Sequence, residues 1–277
     1  MATVTWVLES DVFPQSDAGL RRAIRDAGHI VVDWDDSWWS DGLPPSLGKS
    51  ATVFHGSLGN ADRIATELEW CPGSYCNTPA FCCSAWYDRA RPWLLHADWR
   101  ILPANVFVAN AASIAADLGC SGRVFVRPDS PLKPFSGRVV EAASVTLATL
   151  DHGFYFDDDT LPIVVAPVRT VGREWRFVVV NGCIATGSAY DPATRSAVPD
   201  TVESNARSVA QTIAASLPPP ADVYVLDLCE MEGTLRLLEL NPFGGADLYA
   251  CDSSIVVEFV AGAAHEAWLR NRKGQNS

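Results

Sequence analysis

The segment that decides the fold runs from Val223 to Phe243 and reads Val-Tyr-Val-Leu-Asp-Leu-Cys-Glu-Met-Glu-Gly-Thr-Leu-Arg-Leu-Leu-Glu-Leu-Asn-Pro-Phe. Two alternating runs flank Gly233, a pattern that predicts a β-hairpin with a glycine-bearing turn. If the hairpin is centred on Gly233, Asp227 lies opposite Glu239, because paired residues of antiparallel strands share a face. The leucines then form a core face, and the other face carries Asp227, Glu239 and Asn241.

These three side chains predict a site for a divalent cation. Carboxylate and amide oxygens converging at the end of a β-ribbon are the ligands that Mg²⁺ requires. Acidic residues on the outer face of a hairpin are also commonly just solvated, so the spacing alone leaves both interpretations open. Pro242 ends the strand, and Gly244 and Gly245 follow it. Such glycines suit a close approach of the backbone to a ligand, which favours the metal-site interpretation.

The composition bounds the class of protein. The chain has 277 residues, 48% of them hydrophobic, and a formal net charge of −12. This is enough for one large domain or two modest ones, and the negative charge argues against a nucleic-acid partner. The N-terminus lacks the pattern of a signal peptide, and no apolar stretch reaches membrane-spanning length. We expect a cytoplasmic protein with a small-molecule partner and no membrane partner, and a homodimer is left open.

The eight cysteines do not predict a disulfide framework, because they are spread over a large chain. Four of them cluster between Cys71 and Cys83 with the spacing C-x4-C-x5-C-C, which is not typical of a zinc site. Small buried residues and a structural metal remain the two interpretations of this cluster.

Strands and helices alternate in the first hundred residues. The patterns predict three strands and one helix, over Val4–Leu8, Ala18–Ala27, His29–Asp33 and Ala51–Phe54, with Gly28 ending the helix. This order predicts a small open α/β domain with a parallel sheet, spanning residues 1–100. Ligands often bind at the carboxyl ends of such strands, which makes Ser57 and Asn60 candidates for a substrate site. Turn chemistry explains these two residues equally well.

Residues 101–277 change character and are predicted to be α+β. Val124–Arg127 is a predicted strand, followed by a long turn that contains Lys133, Ser136 and Gly137. Arg127 and Lys133 supply positive charge, and the backbone of Phe135–Gly137 supplies amide donors. These are the groups that hold a polyphosphate, although the segment is not a Walker-type loop.

An arginine projects from the next part of this half. Pro162–Val168 is an apolar strand, and Glu174–Val180 alternates into another, which Asn181-Gly182 turns back as a hairpin. Arg176 is either paired structurally, which Glu174 could do, or aimed at anionic oxygens. Two helices, over 202–216 and 255–269, complete the predicted elements.

The order of these pieces resembles the ATP-grasp superfamily, in particular its compact bacterial and phage-associated branch. The most specific motif joins Glu174-Trp-Arg176 to Leu238-Glu-Leu-Asn-Pro-Phe243. The phrases Phe54-His-Gly-Ser-Leu58 and Val126-Arg-Pro-Asp-Ser-Pro-Leu-Lys-Pro-Phe-Ser-Gly137 add to the likeness. The resemblance implies an ATP-grasp fold over 101–277, an α/β arrangement overall, and a small N-terminal open α/β domain.

The resemblance also implies roles for individual residues. The metal set for Mg²⁺ is Asp227, Glu239 and Asn241. The ATP-binding set is Arg127, Lys133, Ser136, Gly137, Val165, Ala166, Val168, Glu174 and Arg176, in which the backbone of Val164–Val168 reads the adenine edge. Lys133 and Arg176 are the implied catalytic residues. No acidic residue ends the Val164–Val168 strand, so the contact to the ribose is left unassigned.

The implied activity is that of an ATP-dependent carboxylate–amine ligase, or a carboxylate–thiol ligase, that acts through an acyl phosphate. A phosphotransferase with the same ATP site and a nucleotide-binding module without turnover are the alternatives. The substrates would be a small-molecule carboxylate and an amine, or a peptide. Candidate substrate contacts are Ser57, Asn60, Tyr190, Gly244, Gly245 and Tyr249.

Overall fold

The computed structural model describes residues 2–44, 46–191, 193–194, 196–198 and 204–275. The chain forms two compact units, each built from several segments. Unit 1 comprises Met1–Asn77, Arg173–Cys229 and Leu238–Ser277, and unit 2 comprises Thr78–Gly172 and Glu230–Leu237. The predicted division into continuous domains, 1–100 and 101–277, stays a prediction.

Thirteen strands lie within the described residues. They are β1 Thr5–Leu8, β2 Ile30–Asp33, β3 Thr52–His55, β4 Pro72–Gly73, β5 Arg100–Pro103, β6 Arg123–Pro128, β7 Arg138–Glu141, β8 Pro162–Pro167, β9 Glu174–Val180, β10 Cys183–Asp191, β11 Ser196–Ala197, β12 Val223–Met231 and β13 Thr234–Pro242.

Eight α-helices accompany these strands in the part of the chain that the structure describes. They are α1 Asp17–Asp26, α2 Trp38–Asp41, α3 Leu58–Glu67, α4 Thr78–Phe81, α5 Cys83–Ala90, α6 Ala104–Asp117, α7 Ser204–Ser216 and α8 Ser253–Gln275. Over the described ranges, no helix has both the length and the apolar character that crossing a lipid bilayer would require.

Unit 1 contains the predicted parallel sheet, which is confirmed. Its strand order is β2-β1-β3-β4, and β1 runs parallel to both β2 and β3. Helix α1 buries Leu20, Ala23 and Ile24, the apolar stripe that its spacing predicts. The carboxyl end of β3 leads directly into α3, whose N-cap is Ser57.

The second sheet of unit 1 has the strand order β11-β10-β9-β12-β13. Its central strand β9 is buried along its whole length, because β10 and β12 pair antiparallel with it on either side. The two hairpin turns need residues with positive φ: Asn181 and Gly182 have φ of 49° and 77°, and Glu232 and Gly233 have φ of 51° and 74°. Both turns lie where the sequence predicts them.

One apolar core joins these elements within unit 1. Trp6 of β1 lies edge-on to Phe243, with 6.4 Å between ring centroids. Val256, Val257 and Val260 of α8 pack into the same core and are fully buried. Phe243 therefore anchors the end of β13, and with it the segment that carries the predicted metal ligands, against the parallel sheet.

Unit 2 is built on the antiparallel sheet β5-β8-β6-β7. Alternate residues of β6 and β8 face α6, so that Val124, Val126 and Val165 are fully buried beside Phe107. The opposite face of the sheet carries Phe125, Arg127, Val164 and Ala166, because Phe125 pairs with Ala166 and Arg127 with Val164.

Several elements differ from the prediction. Strand β5 is not predicted by the sequence, because four residues that end in Pro103 carry little periodicity. Helix α6 starts at Ala104, ahead of the predicted helix, and Asn110 interrupts its helical geometry with φ −127°. Strand β11 lies in a predicted loop over 191–200. The predicted helix over 202–216 corresponds to α7, and its first two residues lie outside the described residues.

Candidate active site

The three predicted metal ligands come together in unit 1. Asn241 Nδ2 donates to Asp227 Oδ2 at 3.0 Å and to Glu239 Oε1 at 2.9 Å. The shared face that the hairpin pattern predicts is therefore present at the level of side-chain contacts. Asp227 is fully buried, Asn241 is 4% exposed, and Glu239 is half-buried.

Arg176 forms a two-pronged ion pair with Asp227. Its Nε donates to Oδ1 at 2.9 Å and its Nη2 to Oδ2 at 2.7 Å, and the two residues are direct partners across β9 and β12. The sequence offered Glu174 as a structural partner for Arg176. The structure corrects this, because a directly opposite residue on the next strand lies closer than a residue two positions along the same strand.

Burial and charge shift the pKa values in this cluster. Burial alone would lower the pKa of Arg176, but the charge and hydrogen bonds of Asp227 outweigh it and raise that pKa well above its usual value. Burial raises the pKa of Glu174 to about 7, and the charges of Asp227 and Glu239 act in the same direction. A hydrogen bond with Tyr190 opposes that rise. Asp227 and Arg176 thus stay charged at neutral pH, whereas Glu174 is partly protonated.

The donor set fits a hard cation in its chemistry. Two carboxylates and one amide supply oxygen ligands of the kind that Mg²⁺ binds. The described residues contain no group of three or more His, Cys, Asp or Glu side chains that could hold a metal, so Asn241 is needed to complete the set. Its amide presents Nδ2 to both carboxylates, and it would have to turn Oδ1 toward them to ligate a cation.

Two tyrosines flank Arg176 in the same unit. Tyr190 and Tyr249 stack with 4.6 Å between ring centroids, and the guanidinium of Arg176 lies 5.5 Å and 5.0 Å from them. Tyr249 has a φ of 47°, an uncommon value for a residue with a side chain. Strained backbone of this kind is concentrated at functional sites. These two candidate substrate residues therefore lie beside the ion pair.

The sequence analysis missed Asp247 as a member of this cluster. Its carbonyl oxygen accepts from Arg176 Nη1 at 2.8 Å, and its Oδ1 accepts from Tyr249 N at 2.9 Å and from Ser16 Oγ at 3.1 Å. An aspartate two residues before the backbone N–H that it accepts is an Asx-turn signal, which could have identified it.

The other predicted substrate residues have local structural tasks. Ser57 caps α3 by accepting from Asn60 N at 3.3 Å. The Asn60 side chain accepts from Trp39 Nε1 at 2.9 Å and donates to Asp36 at 3.1 Å. A Cβ on Gly244 would collide with the Ser74 carbonyl oxygen, and one on Gly245 with the Leu58 side chain. The turn-chemistry interpretation accounts for all of these contacts, and their contact with a substrate stays a prediction.

Unit 2 carries the predicted phosphate-binding groups. Arg127 lies on β6, and a Cβ on Gly137 would lie 2.8 Å from the Phe125 ring and 3.5 Å from Arg127 Cβ, so the loop after β6 folds back over this strand. Lys133 and Ser136 of that loop are exposed, and Lys133 has a φ of 52°. The structure thus brings Arg127 next to Gly137.

The strand predicted to read an adenine edge is β8. Val165 faces the core of unit 2, whereas Ala166 shares the opposite face of the sheet with Arg127. Val168 follows the strand and is 38% exposed. The backbone just beyond β8 is therefore the accessible part of the predicted segment.

The comparisons with known proteins agree with this geometry. Residues 105–259, more than half of the chain, match a family described as an ATP-grasp domain, the second family of its clade. No curated protein matches the chain.

Three solved structures illustrate the likeness of fold. D-cycloserine synthetase DcsG is similar with a TM-score of 0.66 at 16% identity, over 95% of this chain and 100% of its own. D-alanine–D-alanine ligase from Bacillus anthracis has a TM-score of 0.58 at 13% identity, over 99% and 100%. The ATP-grasp ligase PsnB, complexed with precursor peptide PsnA2 and AMPPNP, has a TM-score of 0.55 at 12% identity, over 95% and 97%.

At these identities the structural likenesses speak for the fold, and the family match speaks for descent. The predicted ATP-grasp fold with its α/β architecture is confirmed on both counts. With the hairpin motif, the Glu174-x-Arg176 strand and the family match in agreement, this chain belongs to the ATP-grasp family.

Proposed function

We propose that this chain is an ATP- and Mg²⁺-dependent ligase that joins a carboxylate to an amine through an acyl phosphate. The observation that carries the proposal is the buried cluster of Arg176, Asp227 and Asn241 with Glu239, found in a member of the ATP-grasp family. A pair of carboxylates with an amide suits Mg²⁺, and an ATP-dependent family supplies the phosphoryl donor.

The proposed reaction has two steps whose atoms balance. An oxygen of the substrate carboxylate attacks the γ-phosphorus, and ADP leaves with the electrons of the broken P–O bond. The amine nitrogen then attacks the acyl carbon, phosphate leaves, and the amine proton passes to phosphate or solvent. Neither step needs a covalent bond to the protein. The chain's task is therefore positioning and charge neutralisation.

In unit 1, Asp227, Glu239 and Asn241 would hold Mg²⁺, which when bound offsets the negative charge of the phosphates. Arg176 holds Asp227 in one orientation, because three of its nitrogens already have acceptors. A direct contact of Arg176 with the transferred phosphoryl group stays part of the proposal and would use its remaining N–H groups. Arg176→Ala would also leave Asp227 buried without a counter-charge, so it is a poor test of catalysis.

In unit 2, Arg127 and Lys133 would contact the phosphates, and the backbone amides of Ser136 and Gly137 would add donors. The backbone of Val165, Ala166 and Val168 would read the adenine edge. Arg127 shares its sheet face with Ala166, which supports placing phosphate and base contacts on one surface of this unit. Glu174 completes the proposed ATP-binding set.

The acceptor is proposed to contact Tyr190 and Tyr249, beside Arg176, with Ser57, Asn60, Gly244 and Gly245 as further candidates. Small molecules and peptides are both retained as substrate classes, because the names of the similar structures include D-alanine–D-alanine ligase and a ligase complexed with a precursor peptide. A thiol acceptor, a homodimer and a cytoplasmic location also stay predictions.

The test is the dependence of ADP release on two substrates. Purified protein with ATP and Mg²⁺ is given a pool of carboxylic acids, a pool of amines, or both. ADP release that requires both pools supports ligation. Release with a hydroxyl compound alone would instead identify a phosphotransferase, and nucleotide binding without any release would identify a binding module.

Matched variants show whether the cluster is responsible for turnover. Glu239→Ala and Asn241→Ala are each expected to lower Mg²⁺-dependent turnover by about 100-fold or more while the protein stays folded. The control is Glu258→Ala, which removes an exposed carboxylate on α8 and is expected to leave turnover unchanged. Full turnover in the Glu239 and Asn241 variants would remove the metal assignment.

A further inference from the structure

A histidine of unit 2 that the proposed mechanism does not use is buried with one nitrogen unpartnered. His96 is 7% exposed and lies between α5 and β5. Its ring stacks on Phe125 of β6, with 5.1 Å between centroids and 17° between planes. The neighbouring backbone is fixed, because Leu95 N donates to Leu237 O at 3.0 Å. The ring is therefore held in one place by the packing around it.

The two ring nitrogens of His96 have different surroundings. One hydrogen-bonds to the backbone carbonyl of Pro167, at the end of β8. Nδ1 is buried and has no hydrogen-bond partner among the described residues. Because a carbonyl can only accept, Nε2 must carry the proton in this arrangement, and Nδ1 of a neutral ring presents a lone pair. A buried acceptor without a donor is costly, so such a group calls for a partner.

The charges around His96 restrict what that partner can be. Burial, followed by the charges of Arg169 and Arg127, lowers the pKa of His96 to about 4, so the ring is neutral near pH 7. A neutral ring whose free nitrogen is an acceptor does not attract a phosphate oxygen. A cationic donor is disfavoured beside two guanidinium groups. A neutral N–H or O–H donor remains.

The position of His96 relates it to the strand proposed to read the base. Phe125 lies on the sheet face that carries Arg127 and Ala166. Pro167 has no N–H, and its carbonyl already accepts from His96, so this residue of β8 offers a ligand little on its own. Nδ1 of His96 thus lies where β8 can no longer supply an acceptor.

We propose that Nδ1 of His96 accepts a hydrogen bond from the exocyclic amino group of adenine and so makes the chain selective for ATP. This inference rests on the proposed function. The 6-amino group of adenine is a neutral donor, whereas hypoxanthine and guanine present a carbonyl oxygen at that position and would oppose one lone pair to another.

The experiment compares ATP with purine riboside triphosphate, which lacks the 6-amino group, by calorimetry in the presence of Mg²⁺. Wild-type protein should bind ATP about five- to tenfold more tightly than purine riboside triphosphate, the effect of one net hydrogen bond. His96→Leu should lose this preference by binding ATP more weakly, with purine riboside triphosphate changed by less than about twofold. His152→Leu is the control, because His152 also contacts a phenylalanine and bonds a backbone carbonyl, that of Asp157 at 3.1 Å; it should keep the wild-type preference.

Each other result overturns the inference. Equal weakening of both nucleotides in His96→Leu would mean that the ring acts through packing or through a ribose hydroxyl. Equal affinities of the wild type for the two nucleotides would identify Nδ1 as the partner of a buried water only, and that arm decides the question even if His96→Leu does not fold. A wild type that binds neither nucleotide would overturn the proposed function itself, and this inference with it.

Discussion

Replacing Asp227 by asparagine removes a buried charge while keeping the shape of the side chain. Asp227 is fully buried, and the side chain of its partner Arg176 is 9% exposed. The carboxylate accepts two hydrogen bonds from Arg176 and a third from Asn241. Asparagine can accept only with Oδ1, and its amide group would then face another donor. Arg176 would be left as a buried cation without a counter-charge.

The size of the effect follows from this geometry. A hydrogen bond to a charged group contributes about 1.5–3 kcal/mol, and removing one partner of a buried ion pair costs about 3–5 kcal/mol in all. We expect the free energy of unfolding to fall by about 4 kcal/mol. Arg176→Met combined with Asp227→Leu should recover most of this loss, because neither charge is then buried alone.

Asp151 provides a control of the same chemistry at the surface. Arg138 also binds Asp151 through two nitrogens, but these side chains are 30% and 29% exposed. Solvent screening limits such a pair to about 1 kcal/mol or less. Asp151→Asn should therefore have little effect on the free energy of unfolding.

Urea unfolding followed by the fluorescence of the ten tryptophans measures both variants. The midpoint for Asp227→Asn should fall by about 1–2 M, and that for Asp151→Asn should stay near the wild-type value. Equal midpoints for the two variants would refute the reasoning, because burial would then not decide the contribution of the pair.

Two further predictions concern stability. Because the pKa of Glu174 is about 7 when folded and 4.5 ordinarily, the folded state holds this proton more tightly, and stability should fall as pH rises from 4.5 to about 7; Glu174→Gln should flatten that part of a urea-midpoint profile, and an unchanged slope would contradict the burial argument. Gly244→Ala should lower the free energy of unfolding by about 1–3 kcal/mol, because its Cβ meets the Ser74 carbonyl oxygen, whereas Gly262→Ala on α8 has open space and should raise it by about 0.5–1 kcal/mol. Thermal unfolding that ranks the two alanine variants in the opposite order would contradict this.

The fold could be predicted where local chemistry repeats. The turns at Asn181-Gly182 and Glu232-Gly233 need positive φ, and these residue types announce it. The parallel sheet around β1 follows from alternating strands and helices. Strand β5 was missed, because its pairing with β8 is set by tertiary contacts and not by its four residues.

The site could be predicted only as far as side chains share a face by register. Asp227, Glu239 and Asn241 meet because a hairpin brings them together. The partner of Arg176 depends on how β9 pairs with β12, strands separated by about fifty residues of sequence, and no local pattern records that pairing. Asp247 and His96 matter through backbone carbonyls and packing, which leave no mark in a pattern of residue types.

The central claim is that Asp227, Glu239 and Asn241 hold the metal of a metal–ATP complex. Electron paramagnetic resonance of Mn²⁺ with ATP, titrated with protein, measures that metal directly. Wild-type protein should bind Mn²⁺·ATP, and Glu239→Gln should weaken this binding by about 10-fold or more while the affinity for ATP measured with a metal chelator present changes by less than about threefold. Equal Mn²⁺·ATP affinity in the wild type and Glu239→Gln would contradict the claim.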